Sequence, residues 1–122
     1  MVTGKKIPFI NENKNMTEAL RIISKKKLGV VIVCNKNKTT TGIITDGNVR
    51  KLRQKNIDFQ KTIVKKVMTK KPIAINVDTL AIKALRIMNE KKITSLCVYK
   101  NTKKDKTTGL IHIHHILDAN IE

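Results

Sequence analysis

Apolar residues along the chain follow two patterns, one typical of helices and the other of buried strands. In two segments they recur three or four positions apart, which predicts helices that bury one face. These residues are Ala19, Leu20, Ile22 and Ile23 in the first half and Leu80, Ala84, Leu85, Ile87 and Met88 in the second. Two short continuous runs, 29–34 and 94–99, are rich in β-branched residues and predict strands covered on both faces.

Polar positions set the expected start of each helix. A short extended segment, 7–10 in the first half and 72–77 in the second, precedes each predicted helix. Side chains whose oxygens can cap the free helix amides come next. The candidates are Asn15 or Thr17 in the first half and Asp78 or Thr79 in the second.

A second strand and a second helix complete each half. We expect Gly42 and Gly109 to open the second strands, after polar turns rich in Asn, Lys, Thr and Asp. The second helices are expected to start near Gly47 and His114. The predicted order of elements is therefore βαββα, twice.

The two halves also match in sequence. Residues 19–22 have the same sequence, ALRI, as residues 84–87, an offset of 65 (84 − 19). After a turn that is two residues longer in the second half, residues 41–44 match residues 108–111 at an offset of 67 (108 − 41). A tandem repeat of this kind is a single supersecondary unit copied once.

A repeat of this size rarely buries enough apolar surface to be stable alone. We therefore predict an α/β (α+β) fold in which two pseudo-twofold-related βαββα repeats pack as one module. The expected boundaries are 1–60 for the first repeat, 61–71 for a linker and 72–122 for the second repeat.

The formal net charge of +17 is the strongest compositional signal, and it raises the alternative of a nucleic-acid-binding protein. The charge is scattered along the chain, and only four of the 26 basic residues are arginine. With two Phe, one Tyr and no Trp, the chain nearly lacks the aromatic side chains on which single-stranded nucleic acids stack. We therefore expect nucleic acid not to be the main partner.

The sequence lacks the features that are typical of membrane proteins, secreted proteins and enzymes. No run approaches the roughly 20 apolar residues of a membrane span, and the amino end has no long apolar stretch typical of a signal peptide. We expect a cytoplasmic protein without a membrane partner. No glycine-rich phosphate loop, nucleophile elbow or pair of carboxylates is present, so we expect no enzymatic activity and no cofactor.

Cysteines and histidines are common metal ligands, but their spacing in this sequence does not favour a metal site. Cys34 and Cys97 lie inside apolar runs and are expected to be reduced core residues. His112 and His114 alternate on a predicted strand, and His115 is adjacent. A fourth ligand for zinc would have to come from elsewhere, because the nearest carboxylate is Asp118. We therefore predict no native metal site.

Four motifs resemble a known family. They are GIITDGNVRK at 42–51, VMTKKP at 67–72, KKITSLCV at 91–98 and GLIHIHHIL at 109–117. Together with the repeat, they resemble a tandem pair of cystathionine β-synthase (CBS) domains, a Bateman module. They are most similar to the CBS pair at the carboxyl end of arabinose-5-phosphate isomerases, and the likeness covers essentially the whole chain.

The resemblance implies a noncatalytic regulatory module that forms a homodimer through its helices. Its expected ligand is a nucleotide or a nucleotide-sugar, such as a CMP-linked Kdo. The expected partner is a sugar isomerase domain in cis or in trans, because the isomerase domain of the family would precede Met1. A purely structural dimerisation module from a truncated or split isomerase gene is the alternative.

The candidate ligand-binding residues lie where a strand runs into a helix, since a hydroxyl and free helix amides meet there and can bind an anion. They are Thr45, Asp46, Gly47, Asn48 and Arg50 in the first repeat and Thr94, Ser95, His112, His114 and His115 in the second. The family motif is Gly-x-x-Thr/Ser-x-x-Asp. Asn48 and His115 stand where the resemblance implies Asp, and Arg50 matches an arginine that these isomerases usually keep.

A ligand-free alternative exists for the same residues. Thr45, Asp46 and Asn48 are residue types that cap helix amino termini, and a cap needs no ligand. One residue can fill both roles, so the sequence leaves the two open.

Overall fold

The computed structural model describes residues 1–114 and 116. Eight strands and four helices are assigned there, in the order β1 (Val2–Thr3), a 3-10 turn (Gly4–Lys6), β2 (Phe9–Asn11), α1 (Met16–Lys26), β3 (Val30–Cys34), β4 (Thr40–Thr45), α2 (Asp46–Gln54), α3 (Val64–Val67), β5 (Thr69–Lys70), β6 (Ala74–Asn76), α4 (Ala81–Lys91), β7 (Ser95–Tyr99) and β8 (Gly109–His112). Ile113, His114 and Ile116 are helical as well. The predicted βαββα order and the α/β class are confirmed.

The chain divides into two compact units. The first unit is Lys5–Pro72, and the second consists of Met1–Gly4 and the chain from Ile73 onward. The first unit contains a four-stranded sheet in the order β2-β3-β4-β5, and the second contains a four-stranded sheet in the order β1-β8-β7-β6. In each sheet the entry strand is parallel to the next strand, whereas the following pair is antiparallel.

The strand registers repeat from one unit to the other. Val31 pairs with Ile44 in the first sheet, and Leu96 pairs with Ile111 in the second. Leu96 follows Val31 by 65 positions (96 − 31), and Ile111 follows Ile44 by 67 positions (111 − 44). These are the offsets at which the two halves match in sequence. The duplication is therefore present in the backbone pairing of each unit and not only in residue identity.

Each sheet ends in a two-residue strand that we did not predict. β5 pairs with β4 through Gly42 and Lys70, and β1 pairs with β8 through Thr3 and Gly109. Strands of two residues show no apolar periodicity, so no pattern in the sequence indicates them. The amino-terminal strand thus belongs to the sheet of the second unit.

Apolar side chains between each sheet and its helices form the core. In the first unit the fully buried residues include Met16 and Ala19 from α1, Val31 and Ile44 from the sheet, and Val64. In the second unit the core cluster consists of Ile75, Ala84, Met88, Leu96, Val98 and Ile116. The continuous apolar runs predicted to be buried strands are buried in both units.

Two predictions about the ends of elements and one about a buried residue need correction. Asn15 caps α1 as predicted, its Oδ1 accepting from the Glu18 amide at 3.0 Å, but neither Asp78 nor Thr79 caps α4. The N-cap of α4 is Leu80, which has no side-chain cap hydrogen bond.

Leu80 is also not part of the buried helix face, because 71% of it is exposed. Gly42 lies within β4 and does not open it, since the strand begins at Thr40 opposite Cys34. Gly109 opens β8 as predicted.

The two cysteines are free thiols, as expected. Cys97 is buried, and burial raises the pKa of its thiol to about 11, against a smaller opposing effect from a hydrogen bond with Thr107. The Cys97 thiol is therefore protonated at neutral pH. Within residues 1–114 and 116, no helix is both long enough and apolar enough to cross a bilayer.

Candidate functional site

The strand-to-helix junction of the first unit is closed by Thr45 and Asn48. Thr45 is the N-cap of α2, and its Oγ1 accepts from the Asn48 amide at 3.3 Å. In return, the Asn48 Oδ1 accepts from the Thr45 amide at 2.9 Å. This reciprocal arrangement is a capping box, which satisfies amides that a helix start leaves without partners. The capping role predicted for Thr45 and Asn48 is confirmed.

Asn48 has no acceptor capacity left for a further strong hydrogen bond. Its Oδ1 also accepts from the Thr45 hydroxyl at 3.0 Å, so both lone pairs of the carbonyl oxygen are used. Its Nδ2 donates to the Thr69 hydroxyl on β5 at 3.2 Å. Thr69 is a site residue that we did not predict. The only signal for it in the sequence is its place in the motif at 67–72 that resembles the family.

Asp46 does not cap the helix with its side chain. Its amide donates to the Gly29 carbonyl at 3.1 Å, whereas its carboxylate is exposed and accepts no hydrogen bond from the described residues. Gly29 has a φ of +68°, and a Cβ at this position would lie 2.9 Å from the Asp46 Oδ2. The exposed Asp46 side chain could rotate away from such a Cβ, so it is the left-handed φ that favours glycine at 29, a constraint that the sequence alone did not reveal.

Arg50 lies on a different side of α2 from Asn48, because residues two apart on a helix do not face each other. Asp46, Arg50 and Arg53 share one helix face at spacings of four and three residues. They line an open depression of about 460 Å³ together with Val49 and Gln54. The predicted ligand residues of the first unit thus form two groups, a closed capping network and a solvent-facing basic helix face.

The second unit builds its junction with a histidine. The His112 Nδ1 accepts from the His114 amide at 3.2 Å, at the position equivalent to Thr45. The Thr94 carbonyl accepts from the Ile113 amide at 2.7 Å, just as the Gly29 carbonyl accepts from the Asp46 amide in the first unit. Ser95 pairs with His112 in the sheet and is half-buried. Over the described residues the two junctions therefore share an equivalent backbone hydrogen bond, whereas their caps differ: Thr45 accepts from an amide three residues on and His112 from an amide two residues on.

The described histidines stack on each other. The ring centroids of His112 and His114 are 4.8 Å apart, with an angle of 21° between the planes. His115 lies outside the described residues. Among the residues that are described, no three His, Cys, Asp or Glu side chains are arranged to hold a metal ion.

Replacing His112 with alanine is expected to lower the free energy of unfolding by about 1 kcal/mol, the typical cost of losing a helix N-cap. His112→Thr should recover most of this loss, because threonine caps the equivalent helix of the first unit. His114→Ala is the matched control, since it keeps the capped backbone amide and removes only the exposed ring that stacks on His112, so it measures the contribution of the stacking alone. Urea denaturation measures all three, and equal losses for the alanine and threonine variants at 112 would contradict a capping role.

Two four-stranded sheets with matching strand-to-helix junctions define a tandem repeat protein of the CBS type. The chain belongs to the CBS domain family, whose pattern matches residues 2–55 and 64–122.

Curated relatives include arabinose 5-phosphate isomerases named KdsD. The protein from Escherichia coli (strain K12) is 31% identical over 121 residues, which cover 99% of this chain and 36% of that protein. The protein from Yersinia pestis is 32% identical with the same coverage. The chain thus spans about a third of the length of the curated relatives it matches, and the remaining part of those proteins has no counterpart in the sequence.

Solved structures confirm the fold. An uncharacterised conserved protein from Pyrococcus horikoshii superposes with a TM-score of 0.84 at 22% identity, covering 98% of this chain and 89% of that chain. A structure of CBSX2 in complex with AMP superposes with a TM-score of 0.81 at 21% identity, covering 99% and 92%. At these identities the likeness establishes the fold.

Proposed function

We propose that the chain is a noncatalytic, cytoplasmic regulatory CBS pair that binds a nucleotide or a nucleotide-sugar. A CMP-linked Kdo is a specific candidate for the ligand. Occupancy would be transmitted to a sugar isomerase domain in cis or in trans, through a preference of the ligand for one conformation worth about 1–3 kcal/mol. The similarity to KdsD over the noncatalytic third of that protein supports the regulatory role, and the AMP complex of a structural neighbour supports a nucleotide.

The observation that carries this proposal is the set of donors left free at the junction of the first unit. Among the described residues, no carbonyl accepts from the Gly47 amide. One hydrogen of the Asn48 Nδ2 is uncommitted. The exposed Arg50 guanidinium lies on a different side of α2 and adds positive charge to the same helix. A helix amino terminus with free donors favours an anion, so the phosphate of a nucleotide fits this junction.

Asn48 explains why a ribose would bind weakly. A ribose hydroxyl donates to an acceptor, and the only acceptor oxygen of Asn48 already accepts from the amide and the hydroxyl of Thr45. A carboxylate at 48 would keep one oxygen in the capping box and place the other near the Thr69 hydroxyl, where it could accept from that hydroxyl and still have a lone pair for a ribose hydroxyl. Hydrogen bonds to charged groups contribute about 1.5–3 kcal/mol, compared with about 0.5–1.5 kcal/mol for neutral ones.

Asn48→Asp is therefore expected to tighten binding of ribose-bearing nucleotides about tenfold, which corresponds to about 1.4 kcal/mol. Isothermal titration calorimetry at moderate salt against AMP, ATP, CMP and a CMP-sugar measures the effect. Inorganic phosphate should show no such gain, because it lacks a ribose. Arg50→Gln should weaken all of these ligands, phosphate included, by removal of a charged donor.

The matched control is Asn89→Asp, which makes the same change of charge at an exposed position on α4. If Asn48→Asp and Asn89→Asp bind each nucleotide equally well, the junction does not contact the ligand. If none of the nucleotides binds the chain, the ligand-sensing role is wrong.

A purely structural dimerisation module is the second candidate, and the closed network of Thr45, Asn48 and Thr69 favours it. Each of these side chains has a hydrogen-bond partner within the unit, so the cap forms without a ligand. We propose a homodimer through the helices for either role. Sedimentation equilibrium measures whether the chain forms a dimer, and calorimetry measures whether it binds a nucleotide. A dimer that binds no nucleotide fits only the structural dimerisation module.

A further inference from the structure

In the first unit, a covering segment, residues 60–65, runs along the amino-terminal end of α1. The Met16 amide donates to the Thr62 carbonyl at 2.9 Å, and the Val64 amide donates to the Lys14 carbonyl at 2.8 Å. These bonds flank an antiparallel bridge between Asn15 and Ile63. The covering segment is therefore held as a short added strand.

Side chains reinforce this pairing. The Asn15 Nδ2 donates to the Gln60 carbonyl at 3.3 Å, and the Lys65 Nζ lies 3.5 Å from the Glu12 Oε2. Val64 and Met16 are both completely buried in the same core cluster. The start of α1 thus needs both backbone pairing and an apolar side chain from the covering segment.

The equivalent edge in the second unit, residues 77–81, carries the same backbone groups, and no described segment runs along it as residues 60–65 run along the start of α1. Ala81 is equivalent to Met16 at the offset of 65 (81 − 16). In the described part of the chain, no carbonyl accepts from the Ala81 amide. Leu80 is 71% exposed and Ile82 is 68% exposed, and Val77 is exposed as well. Backbone donors and apolar side chains are therefore available together along one short edge.

We propose that the 77–81 edge binds an extended acidic segment of a partner protein. The partner segment adds a short antiparallel pairing, in which one of its carbonyls accepts from the Ala81 amide. A β-branched apolar residue of the partner then packs near Leu80, as Val64 packs at the equivalent edge of the first unit. Main-chain pairing supplies affinity in this mode of recognition, and the apolar position supplies specificity. This inference goes beyond nucleotide sensing and does not depend on it.

The charge around the edge determines the kind of partner. The edge itself carries the exposed Asp78, and the adjoining 100–106 turn carries four lysines and one aspartate, so lysines outnumber carboxylates here by four to two. The turn lies close to the edge, because each of two hydrogen bonds ends one residue away from one of them. The Val77 amide donates to the carbonyl of Tyr99, just before the turn, at 2.8 Å, and the Nδ2 of Asn76, just before the edge, donates to the Asn101 carbonyl at 3.0 Å. The uncapped amino terminus of α4 adds partial positive charge. An acidic segment complements this excess of lysine, whereas the same lysine-rich turn of a second copy would be repelled at this edge.

A fluorescein-labelled peptide with the sequence of residues 58–67, in which Lys61, Lys65 and Lys66 are replaced by glutamate, is a suitable probe. We expect fluorescence anisotropy to show binding to the full chain at low salt. The peptide with the natural lysines should bind at least tenfold more weakly. Binding should also weaken as the salt concentration rises, since the attraction is largely electrostatic.

Ala81→Pro is the decisive variant. Proline lacks the amide hydrogen, yet it is well accommodated at the first position of a helix. Leu80, with φ −65° and ψ 144°, already has the extended conformation that precedes proline. The variant should therefore fold with an unchanged melting temperature and bind the acidic peptide at least tenfold more weakly. Ala81→Ser keeps the amide hydrogen and should bind normally.

Two results would overturn the proposal. The first is an acidic peptide that fails to bind, or that binds the Ala81→Pro variant as well as the parent chain. The second is self-association of the parent chain in sedimentation velocity that Ala81→Pro abolishes, since the edge would then be occupied by a second copy. A melting temperature that is unchanged by the substitution separates either result from loss of folding.

Discussion

Met16→Ala is expected to lower the free energy of unfolding by about 2–5 kcal/mol, the usual range for truncating a buried methionine. Met16 is the first residue of α1 and is completely buried, because the covering segment and Val64 close over it. A domain of this size is stable by only about 5–15 kcal/mol, so the loss is a large part of the total. Urea denaturation at 25 °C measures it.

Ile82→Ala is the matched control in the first turn of the corresponding helix of the second unit. Ile82 is 68% exposed, and we expect its truncation to change the free energy of unfolding by no more than about 0.5 kcal/mol. Similar losses for Met16→Ala and Ile82→Ala would show that the two helix starts are equally covered. That outcome would also remove the basis for a free edge at 77–81.

Gly42→Ala is expected to destabilise the chain by about 1–3 kcal/mol through overpacking. A Cβ at 42 would meet the Met68 side chain and lie 2.8 Å from the Thr69 carbonyl oxygen. The methionine can rotate, but the carbonyl belongs to β5, which is held against β4 by the pairing of Gly42 with Lys70. Relief of the clash therefore requires a shift of the outer strand, which also carries the Thr69 hydroxyl that contacts Asn48.

Gly47→Ala is the internal comparison, five residues away. Its Cβ would meet only the Thr45 Oγ1 at 3.5 Å, an ordinary contact, within helix α2. Alanine in a helix is favoured over glycine by about 0.5–1 kcal/mol, so this substitution should be neutral or stabilising. Chemical denaturation of the two variants should therefore give changes of opposite sign. A neutral Gly42→Ala would mean that β5 is not closely packed on β4.

Thr45 shows how far the sequence determines the candidate site. Its place at the end of a strand and before a polar helix start predicted both a cap and a possible anion contact, and the cap is present. Caps depend on residues three positions apart, so local sequence is sufficient to indicate them. The ligand contact depends on which hydrogen-bonding groups remain free, and this is set by neighbours distant in sequence. Thr69 is 21 residues from Asn48 and uses one of its Nδ2 hydrogens.

The second repeat shows where local reasoning fails. Leu80 and Ala84 have helical spacing in the sequence, yet Ala84 is completely buried and Leu80 is largely exposed. Periodicity predicts which residues share a helix face, but it does not predict whether another segment covers the end of that face. In the first repeat the cover comes from residues 60–65, far along the chain from α1.

The sequence by itself determined the duplication, the order of the elements and the position of the two strand-to-helix junctions. These properties are local, because apolar periodicity, β-branched runs and capping residues act over a few neighbouring positions. Only the tertiary structure decided that the outer strands β1 and β5 exist, that Asn48 has no free acceptor, and that none of the described segments covers the 77–81 edge. Each of these depends on pairing between residues far apart in the chain, and a linear pattern of apolar and polar positions does not encode such pairing.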